Sequence, residues 1–353
     1  MKRAAQVYAF VLLALLGAAW AQWTQEEPVD LEGKVVMLQG EADAVTAVRW
    51  ISEETEATIS RKKDDRGEYF WVDYTRWSEK RLPAARAEEK ENAEKQVDGQ
   101  AEEAEDEVEA VEREAKKSAF KSAQKAFDLV AALSPMTARR SLDVTDAEKL
   151  KEIGLTEPTG TIEIDRGGRT QKLEVGGESY GTRDHYVRHV ETGKVFLVER
   201  DLLQPLKYAR TRLPDRTLVG VERPDVVSVS LVKGAQKLAL VQIHADDPEK
   251  AGWALADDSN VEAEQATTWM DRMLKLKGTR YAHPDEPPVD LQPRFSIAMT
   301  DRASEVTTIE VMQVGEDGDW YAQSEHTRGM IKLIRSAARS LADDVDGLVG
   351  GED

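Results

Sequence analysis

The sequence predicts an α+β protein built from duplicated antiparallel β-plus-helix modules, about four of them, behind one N-terminal transmembrane helix. Three observations lead there. Short stretches of strand length alternate apolar and polar residues and end in Asp- or Gly-rich turns. A few amphipathic helical stretches fall between them. The order of these pieces recurs once along the chain.

The N-terminal stretch MKRAAQVYAFVLLALLGAAWAQW opens with Lys2 and Arg3, and no charge follows between Ala4 and Gln25. That is long enough to cross a bilayer as a helix. The basic flank comes first and Glu26, Glu27, Asp30 and Glu32 come after, so the N-terminus is expected in the cytoplasm and the rest in the periplasm. Trp20 and Trp23 sit where an interfacial aromatic belt would lie. A cleaved signal peptide is the competing reading, since Ala19-Trp20-Ala21 fits the small-x-small cleavage pattern.

Residues 26–43 read as a linker with one apolar run, Val35 to Leu38. DAVTAVRWIS, EATISRKK and EYFWVDYTRW alternate as strands. Residues 84–117 carry thirteen acidic and six basic side chains. Their Val97, Ala101, Ala104, Val108, Val111 and Ala115 alternate spacings of four and three, which predicts a charged, solvated helical insertion. The helix is expected to continue through Phe120, Ala123, Phe127, Val130 and Leu133 up to Pro135. DAEKLKEIGL is a second helix, capped by Asp146 and stopped by Gly154.

Four strands follow, TGTIEID, TQKLEVG, HYVRHV and KVFLVE, and DLLQPLKYARTRL is a short helix or turn. VVSVSLV, LALVQIH and GWALADD are the next strands. VEAEQATTWMDRMLKLKG is a helix with Val261, Ala266, Trp269, Met270, Met273 and Leu276 on its apolar face. After a Pro-rich linker come FSIAMTD, TTIEVMQVG, DWYAQSE and a C-terminal helix, GMIKLIRSAARSL, with DDVDGLVGGED fraying beyond it.

GTIEIDRGGRTQKLEVGG aligns with FSIAMTDRASEVTTIEVMQVGED, matching Asp165-Arg166 to Asp301-Arg302 and Val175-Gly176 to Val314-Gly315. DAVTAVRW aligns with DVVSVSLV, and Trp71-Val72-Asp73 with Trp253-Ala254-Leu255. The domains expected are therefore 1–25 as anchor or signal, 26–43 as linker, 44–143 as module A and 144–220 as module B. A second module A covers 221–283, a second module B 290–345, and a flexible tail 346–353. Gly167-Gly168 and Gly176-Gly177 then lie between strands and not before a helix, so they read as hairpin turns and not as a phosphate loop.

Chemistry is sparse. The net charge of -19 disfavours nucleic acid. No cysteine is present, which removes disulfides, thiolate metal sites and cysteine catalysis. His185 and His189 share a strand face but lie too far apart for one metal, and read as surface or hairpin histidines. No catalytic, cofactor-binding or metal-binding residue is assigned, no cofactor is expected, and the protein reads as a non-enzyme. Trp71, Trp253 and Trp320 read as core anchors; Trp50, Trp77 and Trp269 as core or partner surface.

KEIGLTEPTGTIEID, YVRHVETGKVFLVERDLLQPL, RTRLPDRTLVGV and the GWAL strand, with the N-terminal anchor, resemble the bacterial domain-of-unknown-function family numbered four-three-four-zero. The resemblance spans roughly residues 1–283, and the 84–117 insertion departs from it. It implies an accessory, periplasm-facing subunit of an inner-membrane complex, with an ABC permease or related auxiliary subunit as partner, because such proteins are often encoded beside gliding-type ABC transporter subunits. The alternative carried by the repeats is a periplasmic module binding a glycan or peptide in the groove between them. A hydrolase of unrecognised type would need a cleft holding a carboxylate with a raised pKa.

Overall fold

A computed structural model describes residues 33–81, 111–247 and 250–350. β1 (Val35–Leu38) precedes a meander of β2 (Val45–Ile51), β3 (Thr55–Asp64), β4 (Gly67–Arg81) and β5 (Val111–Lys121). Helix α1 (Gln124–Ala132), β6 (Met136–Ala138), β7 (Arg140–Leu142) and α2 (Ala147–Glu152) come next. A second meander, β8 (Gly160–Arg166), β9 (Arg169–Glu178), β10 (His185–His189) and β11 (Val195–Val198), runs into α3 (Arg200–Lys207) and α4 (Ala209–Arg212). The second half begins with β12 (Val226–Lys233), β13 (Gln236–Ile243), β14 (Gly252–Leu255) and β15 (Asp258–Glu262). It continues with α5 (Glu264–Lys275), β16 (Gly278–Tyr281), β17 (Leu291–Asp301), β18 (Val306–Val314), β19 (Trp320–Ser324), β20 (Ile331–Leu333) and α6 (Arg335–Val349).

The architecture is α+β, mostly sheet with a few helices. Two nine-stranded antiparallel sheets hold most of it, ordered β5-β4-β3-β2-β8-β9-β10-β11-β7 and β15-β14-β13-β12-β17-β18-β19-β20-β16. The two orders correspond position by position. In each half, an A-type meander and a B-type meander join through one central pair, β2 with β8 and β12 with β17. Each half is thus one continuous sheet, because hydrogen bonding across that pair satisfies two strand edges at once. The helices correspond as well: α1 packs on α3 in the first half and α5 on α6 in the second.

Each half has its own core, for the alternating strands turn one face to a helix layer. Val48, Ile59, Val72, Ile162, Ile164 and Leu173 meet Leu129, Val130, Leu203 and Leu206 in the first. Val229, Leu231, Ile297, Ile309 and Trp253 meet Trp269, Met270, Leu341 and Val345 in the second. Edge-to-face ring pairs mark both, Phe70 with Phe127 at 4.8 Å and Trp269 with Phe295 at 6.1 Å. Tyr281 packs against both cores.

Several expectations need correction. Residues 111–121 form β5 and not the end of a helix; all eleven pair with β4, from Val111 against Arg81 to Lys121 against Trp71. Helix propensity is worth tenths of a kcal/mol per residue there, and the ladder together with burial of Ala119 and Phe120 overrides it. The helix starts only at Gln124. Val35–Leu38 is a strand paired with β6, not linker. Val261 lies exposed on β15, before the helix. Ile331 and Leu333 are buried on β20 with Lys332 between them, a period of two, so the C-terminal helix begins at Arg335. That helix runs to Val349 and buries Val345, so the tail expected to fray is helical as far as Val349.

Gly167 and Gly168 form the β8–β9 turn with φ of +53° and +78°, as a tight hairpin requires. Gly176 and Gly177 do not turn the chain. They lie within β9, where the segment after α2 crosses: Gly177 N donates to Ile153 O at 2.8 Å, and a Cβ on Gly176 would sit 2.5 Å from that carbonyl oxygen. Asp146 caps α2 by accepting from Glu148 N, and Gly154 ends it at φ +71°. The segment 1–25 and most of the 84–117 insertion lie outside the described residues. Among the described residues no helix is long and apolar enough to cross a membrane.

Candidate ligand-binding cleft

The two halves meet with unlike edges. β5, the edge of the first sheet, approaches β16, the edge of the second, and the two converge where the Phe120 and Tyr281 rings stand 6.3 Å apart. A polar pin locks this point. Asp215, in the connector between the halves, accepts through Oδ2 from Lys121 Nζ of β5 at 2.8 Å, and the same oxygen lies 2.8 Å from His326 Nε2 of the second half. Its Oδ1 accepts from Thr217 N at 3.1 Å and from Thr217 Oγ1 at 2.6 Å. Tyr281 Oη donates to Asp215 O at 2.8 Å.

Burial acts to raise the Asp215 carboxyl, but hydrogen bonds from His326, Lys121 and Thr217 outweigh it and hold it far below the usual carboxylate range. Burial lowers the Lys121 ammonium, and the Asp215 carboxylate works against that. Burial, with the Asp215 charge beside it, pushes the Tyr281 phenol well up, so it remains a donor. A second contact lies further out. Arg328 grips Asp64 in bidentate fashion, 2.5 and 2.9 Å, while its guanidinium stacks over Tyr69 at 4.3 Å. Arg66 reaches Thr307 Oγ1 at 3.2 Å.

Beyond the pin the edges diverge and open a cleft of about 1290 Å³. Seven lysines and arginines line it against four glutamates, an inversion of the chain's net charge of -19. Trp50, Tyr74, Tyr208 and Tyr321 are among its lining residues, and of these Tyr208 is exposed while Trp50 and Tyr74 are buried. Lys207 is fixed at the wall: its ammonium lies 5.8 Å from the Trp50 ring centroid and donates to His185 Nε2 at 3.2 Å. Burial lowers both groups, and for His185 the Lys207 charge adds to it, so the imidazole stays neutral and accepts.

The two close histidines are therefore buried, not surface residues. His185 braces a cleft lysine, and His189 Nδ1 accepts from Thr192 N in its hairpin turn at 3.4 Å. Both remain on one strand, β10, with three residues between them. No group of metal-binding side chains occurs among the described residues. Trp253 and Trp320 are core anchors, and Trp50 and Trp269 are buried too. Trp71 is half-buried and not a core anchor; its ring meets Tyr281 edge-on at 6.4 Å across the domain junction. Trp77 is half-buried under Arg113. Lys121, Asp215, His326 and Arg328 carry no motif. They come from three distant segments, with only His326 and Arg328 in one turn, so spacing along the chain could not reveal them.

Residues 123–294 match the family described as Domain of unknown function (DUF4340). This is the family the sequence motifs resemble, and the match runs from the start of α1 into β17. It therefore crosses the domain junction and takes in Asp215, Thr217 and Tyr281. No curated protein and no solved structure matches the chain.

Proposed function

We propose that this protein is a non-enzymatic accessory or scaffold subunit of an envelope membrane complex, in which the cleft between two duplicated domains is the contact surface. The observation that carries this reading is the cleft itself. Two halves of one topology are pinned by a buried polar cluster, and the space they enclose is cationic and aromatic in an otherwise acidic chain. Such a surface suits recognition, since aromatic and arginine side chains carry most binding energy at interfaces. An old duplication accounts for the matched strand orders. The N-terminal stretch would hold the body at the inner membrane with its bulk in the periplasm, and the family resemblance favours an ABC permease or related auxiliary subunit as neighbour.

Crosslinked co-purification from native membranes tests this, with intact-mass analysis of the recovered chain. Recovery of an uncleaved chain with a membrane partner supports the reading. A processed, soluble chain with no membrane partner ends it and leaves a free periplasmic binding module, which the same cleft would serve.

A further inference from the structure

The edge of β5 points into the cleft with backbone groups to spare. Ser122 N donates to Phe70 O, which fixes the alternation of the β4–β5 ladder. Odd-numbered residues of β5 therefore turn their N–H and C=O away from β4. Lys121 confirms the alternation: its carbonyl accepts from Asp215 N at 3.0 Å, on the side away from β4. The connector thus already adds one bridge to this edge, Ser122 with Pro214. Further along, at Lys117 and Ala115, the outward backbone groups have no backbone partner among the described residues, and both positions are exposed and line the cleft.

An edge of this kind is a template for one more strand. Lysines on edge strands normally discourage indiscriminate pairing. Here Lys116 and Lys117 stand on β5, and Arg216 and Arg280 stand across the cleft; cations outnumber the four glutamates of the lining, so an added strand that carries negative charge is favoured. We infer that the cleft captures an extended acidic peptide segment, which pairs with the outer edge of β5 beside Ala115 and Lys117 and sets its carboxylates toward the lysines and arginines that line the cleft. This rests on the reading of the cleft as a contact surface and adds its ligand class and its mode of binding.

The test uses full-length protein in detergent and two short fluorescent peptides, one alternating glutamate and valine, the other lysine and valine. Anisotropy should report binding of the acidic peptide that weakens with salt, and none of the basic one. The acidic peptide N-methylated at alternate residues keeps its charge but cannot complete the ladder, and should bind at least about tenfold more weakly. Ala115→Pro deletes one outward N–H without changing charge, at an edge position that tolerates proline, and should cause a similar loss. Lys117→Glu with Arg280→Glu should abolish binding. Equal binding of the methylated and unmethylated peptides would overturn strand addition, even if Ala115→Pro fails to fold. Equal binding of the basic peptide, or binding of an acidic oligosaccharide but of neither peptide, would overturn it too. A partner that still crosslinks to the cleft after such a result would leave the accessory reading standing; peptide binding without any membrane partner would do the reverse.

Discussion

Replacing Asp215 by asparagine should destabilise the domain junction more than any surface change. The carboxylate is largely buried, with its side chain 12% exposed and that of Lys121 9%. Its two oxygens serve four partner groups on Lys121, His326 and Thr217. Asparagine keeps the shape but removes the charge, and whichever way its amide is turned, one oxygen position becomes a donor. Turned to keep the Thr217 bonds, it faces Lys121 and His326 with a donor. Removing one partner of a buried ion pair costs about 3–5 kcal/mol, a large share of the ~5–15 kcal/mol that holds a typical protein folded. Lys121→Met in the same chain removes the stranded charge, so the double variant should recover most of the loss, which requires a coupling larger than the cost of Lys121→Met alone. Urea unfolding followed by tryptophan fluorescence measures this, because Trp71 reports at the junction. The pH dependence has a definite sign. Asp215 is depressed when folded, so its contribution is complete above the unfolded carboxyl value of about 3.9 and is lost as pH falls through the folded value. Wild type and Asp215→Asn should therefore differ fully at neutral pH and converge only under strongly acidic conditions. A single-variant cost below about 1 kcal/mol, or a double variant less stable than the single, would refute the buried-pin argument.

Other outcomes follow from the same geometry. Gly176→Val should lower stability by about 1–3 kcal/mol or more, because its Cβ would meet Ile153 O at 2.5 Å; thermal melting reads this, and a change below that range would mean the crossing segment yields freely. Gly168→Ala meets open space and should cost only the left-handed backbone penalty, about 1–2 kcal/mol. Trp269→Phe leaves Leu341 O without the indole donor that reaches it at 3.0 Å, and a denaturation midpoint shift worth about 1–3 kcal/mol is expected. Arg328→Ala releases Asp64, whose carboxyl is held below its ordinary value chiefly by the Arg328 hydrogen bond. Small-angle scattering should then show the halves loosening, as the wild type would when acid protonates Asp64; an unchanged profile would place the rigidity in the Asp215 pin alone.

Most strands were legible because each carries its own period-two pattern. VVSVSLV, TGTIEID and TTIEVMQVG show it without help from neighbours, and the Gly167-Gly168 turn declares itself by residue type. The repeat was legible from the order of these patterns. Failures cluster where local pattern and pairing disagree. The stretch VEREAKKSAFK has helical composition and an apolar seam, yet β4 supplies an eleven-residue ladder that no local signal announces. Gly176 and Gly177 look like turn glycines and serve instead as a crossing point for another segment.

The cleft was legible only as a groove expected between repeats. Its charge reversal against the acidic chain depends on which edges meet, and that is a property of docking. By itself the sequence determined the α+β class, most of the strands, the recurring order and the family match over residues 123–294, since these rest on periodicity and motifs within short windows. Tertiary structure alone decided that the strands gather into two nine-stranded sheets, that β5 faces β16, and that Lys121, Asp215 and His326 meet. Those contacts join residues about one hundred positions apart, where hydrogen-bond saturation and burial of charge act and local propensity has no say.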